Sequence, residues 1–236
     1  MKLSIIIPTH NESHFINKTV DAVFSNKFSS QIPGMIIVDS GSTDNTVEKL
    51  VGYELKIVSH IPEKSGKYEL LNRGAQESKG DVLIFLDADT LLPQNYDLCI
   101  MRVLKNKNVV GGAFEFTLDG SEFGLRVVEA INRMRYRLRS SFYGDQGLFV
   151  RREIFFKAGM FPKRRLFETS ELCKKLRKYG KLTLVSEKIL TSPRRFTEGG
   201  IYRVLLNDIK LWFLNELNIF NDDELAERYW RYNQRL

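Results

Sequence analysis

Val82-Leu83-Ile84-Phe85-Leu86 is a run of five apolar residues, entered from Gly80-Asp81 and left through Asp87-Ala88-Asp89-Thr90. The run is too short to span a membrane and is rich in strand formers, so it predicts a strand buried on both faces of a sheet. A buried strand ending in Asp-x-Asp sets paired negative charge at the carboxyl edge, where open α/β folds take their ligands. Two carboxylates this close repel each other unless a cation lies between them, and a hard divalent ion is the usual solution. The tripeptide alone fits equally well with two acids capping the next helix.

The segments before it repeat one pattern. Leu3 to Ile7 reads as a strand stopped by Pro8, followed by the turn and cap chemistry of Thr9-His10-Asn11-Glu12-Ser13 and a helix from Ser13 to Ser25. Met35 to Val38 reads as a strand ending in Asp39-Ser40-Gly41-Ser42-Thr43-Asp44, before a helix over Val47 to Val51. The backbone N–H groups of that polar cluster can face an anion. Leu55 to Val58 is a third strand, and Lys67 to Ser78 a helix closed by Gly80. Strand, polar loop and helix in alternation predict an α/β fold with a mostly parallel sheet. Four loops then meet at one carboxyl edge: Thr9 to Glu12, Asp39 to Asp44, Lys64 to Lys67, and Asp87 to Asp89.

Beyond Asp89 the rhythm changes. A helix after Pro93 leads to the glycine-interrupted strand Val109 to Phe116, then to a basic helix, Phe123 to Arg139, carrying Arg126, Arg133, Arg135, Arg137 and Arg139. Gly144-Asp145-Gln146-Gly147 is a loop entering a strand that runs to Arg152. Leu166 to Leu172 opens a helix ending near Gly180, and Leu182 to Val185 is a further strand before Thr191-Ser192-Pro193-Arg194-Arg195. Ile201 to Phe220 is an amphipathic helical region, followed by a charged, aromatic tail. Its apolar face packs on the domain or on a second copy, giving a homodimer, or else rests on an anionic membrane.

The formal net charge of +7 favours anionic partners. No nucleic-acid module is visible, so nucleic acid is not an expected partner. Cys99 and Cys173 lack metal-ligand spacing and read as reduced thiols of a cytoplasmic chain. The first residues carry no signal-peptide core, and no window reaches the roughly 20 apolar residues of a spanning helix. A G-x-G-x-x-G after the first strand, a P-loop, a G-x-S-x-G and an H-E-x-x-H are all missing, which disfavours dinucleotide dehydrogenases, P-loop NTPases and the commonest hydrolases. A sugar-1-phosphate nucleotidyltransferase would need a glycine-rich loop where Pro8 to Glu12 stands.

Ile5-Ile6-Ile7-Pro8-Thr9-His10-Asn11-Glu12, Val38-Asp39-Ser40-Gly41-Ser42-Thr43-Asp44-Asn45-Thr46 and Asp87-Ala88-Asp89-Thr90 resemble, in order and loop position, the serial motifs of family 2 glycosyltransferases with the GT-A fold. Gly144-Asp145-Gln146, Phe149 to Arg152, Phe167 to Leu172 and Ser192 to Arg195 are similar to one bacterial and archaeal branch of that family. The resemblance implies a single Rossmann-like GT-A unit over residues 1–198, its nucleotide-sugar half at 1–90 and its acceptor half at 91–198, with 199–236 as a helical extension. It also implies a UDP- or GDP-sugar donor, Mg²⁺ or Mn²⁺, inversion at the anomeric carbon, and a sugar, lipid-linked or small-molecule acceptor; the membrane reading of the amphipathic helix would place the chain on the inner face of the cell membrane.

Carried over by position, Pro8, Thr9 and Glu12 would border the nucleoside, and Asp39, with Ser42 in its loop, would contact the base. Asp87 would meet the ribose or the metal shell, and Asp89 would ligate the cation. Lys64 or Lys67 would either help at the phosphates or stay solvated; Arg194 and Arg195 would either close over the diphosphate or form surface ion pairs. The chain departs from the family at one place: an Asp that serves as base usually follows the Glu at 168, and Thr169 stands there instead. A threonine hydroxyl is no base at neutral pH, so Glu168, Asp145 and Glu171 are the candidates, with Glu168 first. Glu168 is equally placed to be a helix N-terminal acid favoured by the macrodipole. An accessory protein that binds the donor without transferring it is the alternative reading.

Overall fold

The computed structural model describes residues 1–29, 34–62, 66–139, 141–217 and 219–233. The first strands are β1 (Leu3–Thr9), β2 (Gly34–Asp39), β3 (Lys56–Ser59) and β4 (Val82–Phe85), with helices α1 (Ile16–Ser25) and α2 (Lys67–Glu77) between them. They are followed by β5 (Thr90–Leu91), α3 (Tyr96–Leu104), β6 (Val109–Leu118), α4 (Phe123–Arg139) and β7 (Leu148–Arg151). The remainder comprises α5 (Arg152–Lys157), α6 (Glu168–Leu176), β8 (Lys181–Thr191), α7 (Arg194–Gly199), α8 (Ile201–Glu216) and α9 (Asp222–Asn233).

The strands form one eight-stranded sheet in the order β3-β2-β1-β4-β7-β6-β8-β5. Its first four strands are mutually parallel; β7 joins β4 and β6 antiparallel, β8 runs parallel to β6, and β5 closes antiparallel on β8. Register places Thr9 opposite Asp39 and Asp39 opposite Ser59, so three strands end at one level. β7 runs the other way, with Phe85 opposite Leu148, so the loop before β7 returns to the edge that β4 leaves.

Strand periodicity sorts the core. Ile5, Ile7, Ile37, Ile84 and Leu86 face α1 and α3, meeting Ile16, Val20 and Ile100. Ile6, Ile36, Leu83 and Phe85 face the opposite way, onto Leu71 of α2, Phe155 of α5 and Leu172 of α6. Successive strand residues point to opposite faces, so a continuous apolar run is what a doubly covered sheet requires. Gly112 lets β6 lie close against β8: a Cβ there would be 2.2 Å from the Thr183 carbonyl oxygen. A third cluster joins Phe116 and Leu118 of β6 to Leu125 and Val128 of α4 and to Val204 and Leu205 of α8, so α8 docks by one face. Among the described residues no helix is long and apolar enough to cross a membrane.

Several elements differ from expectation. Val47 to Val51 is not a helix; a single 3-10 turn, Glu48–Leu50, occupies it, because Val51 is already extended and Gly52 turns left-handed. The strand expected over Leu182 to Val185 continues to Thr191, because β6 stays beside it through a register shift and β5 then pairs with its end. The tail contains α9, started by a capping box in which Glu224 N–H donates to Asn221 Oδ1 at 2.9 Å and Asn221 N–H to Glu224 Oε2 at 3.0 Å.

Phe155 is fully buried and its ring packs on Phe85, Phe156 and Phe161 at centroid distances of 5.1, 5.4 and 5.6 Å. Phe155→Ala is expected to destabilise the chain by about 3–5 kcal/mol, read in urea as a lower midpoint with an unchanged slope.

Candidate active site

The loops leaving β1 and β2 are built as one unit. Asp39 is buried and both its oxygens are occupied: Oδ1 accepts from the Thr9 hydroxyl at 3.1 Å and the Ser42 hydroxyl at 2.5 Å, Oδ2 from the N–H groups of Gly41 and Ser42 at 3.0 Å each. A carboxylate has about four lone-pair positions, so Asp39 spends its capacity holding this loop against β1. Asn11 adopts a left-handed φ of 56°, a conformation Asn tolerates better than most residues. Its Oδ1 accepts from Thr43 N–H at 2.8 Å and its own N–H donates to Ser42 Oγ at 2.9 Å. Glu12 N–H donates to Thr46 Oγ1 at 2.8 Å. These bonds hold Pro8, Thr9, Glu12, Asp39 and Ser42 together as one wall.

The charged centre stands beside that wall. Asp87, just past β4, makes a direct ion pair with Lys67 in the first turn of α2. Gly144 lies against this pair, and a Cβ there would come within 2.8 Å of Lys67 Nζ. Burial works against the Lys67 charge, yet Asp87, Glu168 and Asp145 together hold its pKa above the ordinary value. Burial raises Asp145 to about 6, reinforced by Asp87 and opposed by Arg135, Lys67 and Arg195. Burial also raises Glu168, against the pull of Lys67. The buried Thr169 donates its hydroxyl to Glu168 Oε1 at 3.3 Å.

Asp89 forms the third part. Arg194, at the start of α7, reaches Glu12 Oε1 at 2.6 Å and Asp89 Oδ2 at 3.3 Å, closing across the cleft. Burial and the neighbouring Asp87 push Asp89 up to about 6 despite Arg194. Glu12 Oε2 is buried and without a hydrogen-bond partner among the described residues. Carboxylates therefore outnumber cations here, which suits a divalent ion at Asp87 and Asp89. The described residues contain no cluster of three or more metal-ligating side chains. Two carboxylates completed by water and phosphate oxygens are the habit of Mg²⁺ and of ions that resemble it.

Not every candidate joins this cluster. Arg195 pairs with Asp208 of α8, with Nη1 2.9 Å from Oδ1, and lies over the rings of Phe196 and Tyr229. Glu171 is engaged by Lys174 at 2.6 Å and Arg164 at 3.4 Å. Lys64 lies outside the described residues. Gly144, Asn11 and Tyr143, whose ring centroid is 3.3 Å from the Arg135 guanidinium carbon, were not anticipated. The signals available were an Asn between a strand and a helix and the motif Gly144-Asp145-Gln146.

Residues 4–159 match the model described as Glycosyl transferase family 2. The chain belongs to this family. It is 28% identical over 169 residues to Glycosyltransferase AglE of Haloferax volcanii, across 68% of this chain and 56% of that protein. It is 29% identical over 156 residues to the undecaprenyl-phosphate 4-deoxy-4-formamido-L-arabinose transferase of Yersinia pestis, across 64% and 48%. The chain thus spans about half the length of these curated relatives. In structure it is similar to the mannosyltransferase PcManGT of Pyrobaculum calidifontis, solved with GDP-Man and Mn²⁺, with a TM-score of 0.72 at 18% identity over 97% of this chain and 69% of that one. The fold is accordingly the GT-A fold of glycosyltransferases, α/β with a mixed, mostly parallel sheet.

Asp145 supplies a test of these electrostatics. A carboxyl whose pKa is raised on folding from 3.8 to about 6 adds a penalty that is absent below about pH 4 and complete above about pH 6. Asp145→Asn removes that penalty. The variant is expected to be about 1–2 kcal/mol more stable than the parent near pH 8, discounting for the partly exposed residue, and no more stable near pH 4. Urea melts across that range would refute the assignment by showing the same difference throughout.

Proposed function

We propose that this chain transfers a sugar from a nucleotide-sugar donor to an acceptor hydroxyl, with Mg²⁺ or Mn²⁺ held by Asp89 and Asp87. One observation carries this reading: in a family 2 chain, Asp87, Asp89, Lys67 and Arg194 meet at the carboxyl edge beside the wall built on Asp39. That wall takes the nucleoside, with Thr9 and Glu12 at its border; Asp39 acts by holding the loop in shape. A bound divalent ion would neutralise charge developing on the departing nucleoside diphosphate. Lys67 and Arg194 flank the same position from α2 and α7, and Arg194 can exchange Glu12 and Asp89 for phosphate oxygens.

On the acceptor side Glu168 takes the hydroxyl proton while the acceptor oxygen bonds to the anomeric carbon. The bond from that carbon to the diphosphate breaks, its electron pair leaving with the phosphate. Such a single displacement inverts the centre. Glu168 suits this part because its pKa lies above the ordinary carboxylate value, which makes it a better proton acceptor. Thr169 supports it with a hydrogen bond in place of the carboxylate other members carry. The undecaprenyl-phosphate relative motivates a lipid-linked acceptor. The exposed stripe Tyr202, Leu206 and Phe213 on α8 and Leu217 just past its end, with Lys210 among them, is the surface on which the chain would rest at an anionic membrane.

Two variants separate the halves of the mechanism. Asp89→Ala is expected to abolish the Mn²⁺-dependent part of UDP or GDP binding in calorimetry, a loss of about tenfold or more. Glu168→Gln is expected to keep nucleotide affinity and to lower transfer by about 10²–10⁴-fold. Metal-independent binding that Asp89→Ala leaves unchanged would refute the cation assignment. A wild-type chain that binds donor but transfers to no acceptor, in a screen of lipid phosphates and simple sugars, would make it an accessory protein.

A further inference from the structure

A cavity opens between the end of α4, the body of α6 and α8, and its lining includes none of the residues of the charged centre. It holds about 380 Å³ of empty space, part of it at the open mouth. Arg135, Lys174 and Arg177 bring cationic groups to its wall, and Ser141 and Ser170 bring hydroxyls that bond to each other at 2.6 Å. Trp212 forms an apolar side, and Glu216 is the carboxylate of the lining. Glu171 holds Lys174 from outside the lining at 2.6 Å. Even with both acids counted, the wall keeps a net positive charge.

The polarity is the reverse of the neighbouring cleft. α6 begins with Glu168 in a crowd of carboxylates and carries Ser170 and Lys174 into a cluster of cations. Arg135 links the two, since it lies against Tyr143, which leads into Gly144 and Asp145. Guanidinium forks bind phosphate or carboxylate oxygens in pairs. Several cations together with hydroxyls suit a doubly charged group with three terminal oxygens better than a carboxylate.

We propose that this cavity is an acceptor subsite for a phosphate monoester. The acceptor lies along α6 with its phosphate among Arg135, Lys174 and Arg177 and its reacting hydroxyl toward Glu168. The assignment deepens the glycosyltransfer reading and rests on it. The phosphate belongs either to a lipid phosphate that keeps a free hydroxyl, such as a monoacylglycerol phosphate, whose chain would continue along the apolar side of α8, or to a soluble sugar or polyol phosphate.

The test is calorimetric titration of the full chain with glycerol 3-phosphate and with monomeric 1-hexanoyl-glycerol 3-phosphate, and in parallel with UDP and GDP in the presence of Mn²⁺. Lys174→Glu and Arg177→Glu alter exposed residues, and thermal melting checks that each variant is folded; Lys174→Gln replaces any variant that is not. Lys107→Glu, an exposed lysine outside the cavity, controls for overall charge. At least one phosphate ester should bind the wild type, and each cavity substitution should weaken it about tenfold or more, with Lys107→Glu and nucleotide affinity changing by less than about twofold. Preference for 1-hexanoyl-glycerol 3-phosphate assigns the site to a lipid acceptor, and preference for glycerol 3-phosphate to a soluble one. Failure of both esters to bind the wild type, equal binding by the cavity variants, or equal loss in Lys107→Glu overturns the proposal. So does a parallel loss of nucleotide, which would make the cavity part of the donor site. Failure of the donor reading registers separately, as absence of nucleotide binding by the wild type.

Discussion

Electrostatic crowding at the end of β4 is the constraint around which the site is arranged. Glu12, Asp87, Asp89, Asp145 and Glu168 gather there, and Lys67 and Arg194 are the cations in direct contact with them among the described residues. Burial raises the pKa of Asp89 and Asp145, and the neighbouring Asp87 adds to it, so both are held near 6. Folding would relax such a cluster if the backbone allowed it. The backbone does not, because β4 is locked between β1 and β7, and Leu86 N–H still bonds to Ile6 at 3.0 Å after the regular strand ends. The sheet therefore holds a crowded set of carboxylates at this edge, an arrangement that a bound cation would relieve. Perturbed carboxylates in a cleft are a general mark of functional sites.

Much of this was legible in the residues. The run Val82 to Leu86 announced a doubly buried strand, and its alternate residues do divide between two cores. The motifs at Pro8 to Glu12, Asp39 to Asp44 and Asp87 to Asp89 announced loops at one edge, and the register of Thr9, Asp39 and Ser59 brings their strand ends level. Such features survive inspection of a sequence because they depend on local periodicity and on strand ends, which carry strong signals.

What escaped depends on partners distant in the chain. That Asp39 saturates itself on Thr9, Gly41 and Ser42 follows only once β1 and β2 lie side by side. Arg194 and Arg195 look equivalent in sequence, yet the first enters the cleft and the second turns to Asp208. Gly144 matters because an antiparallel strand returns its loop to the Lys67–Asp87 pair, and strand direction was invisible in the pattern. Helix α9 is a different kind of omission: Asn221 and Glu224 spelled a capping box, but the short apolar pattern behind it, Leu225 and Ala226, was outweighed by charge.

The divergence of the two arginines gives the C-terminal helices a mechanical connection to the cleft. α7 is six residues long, so Arg194 and Arg195 at its start move as a unit. Arg195 is bound to Asp208 on α8, while Arg194 bridges Glu12 and Asp89. α8 is in turn fixed by Val204 and Leu205 to the cluster on α4 and β6. Beyond it, Arg164 ties the segment before α6 to Asn215 of α8 at 2.8 Å and to Asp222 of α9 at 3.1 Å. A shift of α8 large enough to carry Asp208 must therefore either break a charge-assisted pair or displace Arg194 from the two acids it bridges. Since α8 also walls the cationic cavity through Trp212 and Glu216, the carboxylate cleft and that cavity are connected through one helix. The segment after residue 198 is thus bound into the site by hydrogen bonds, whatever the surface stripe on α8 meets.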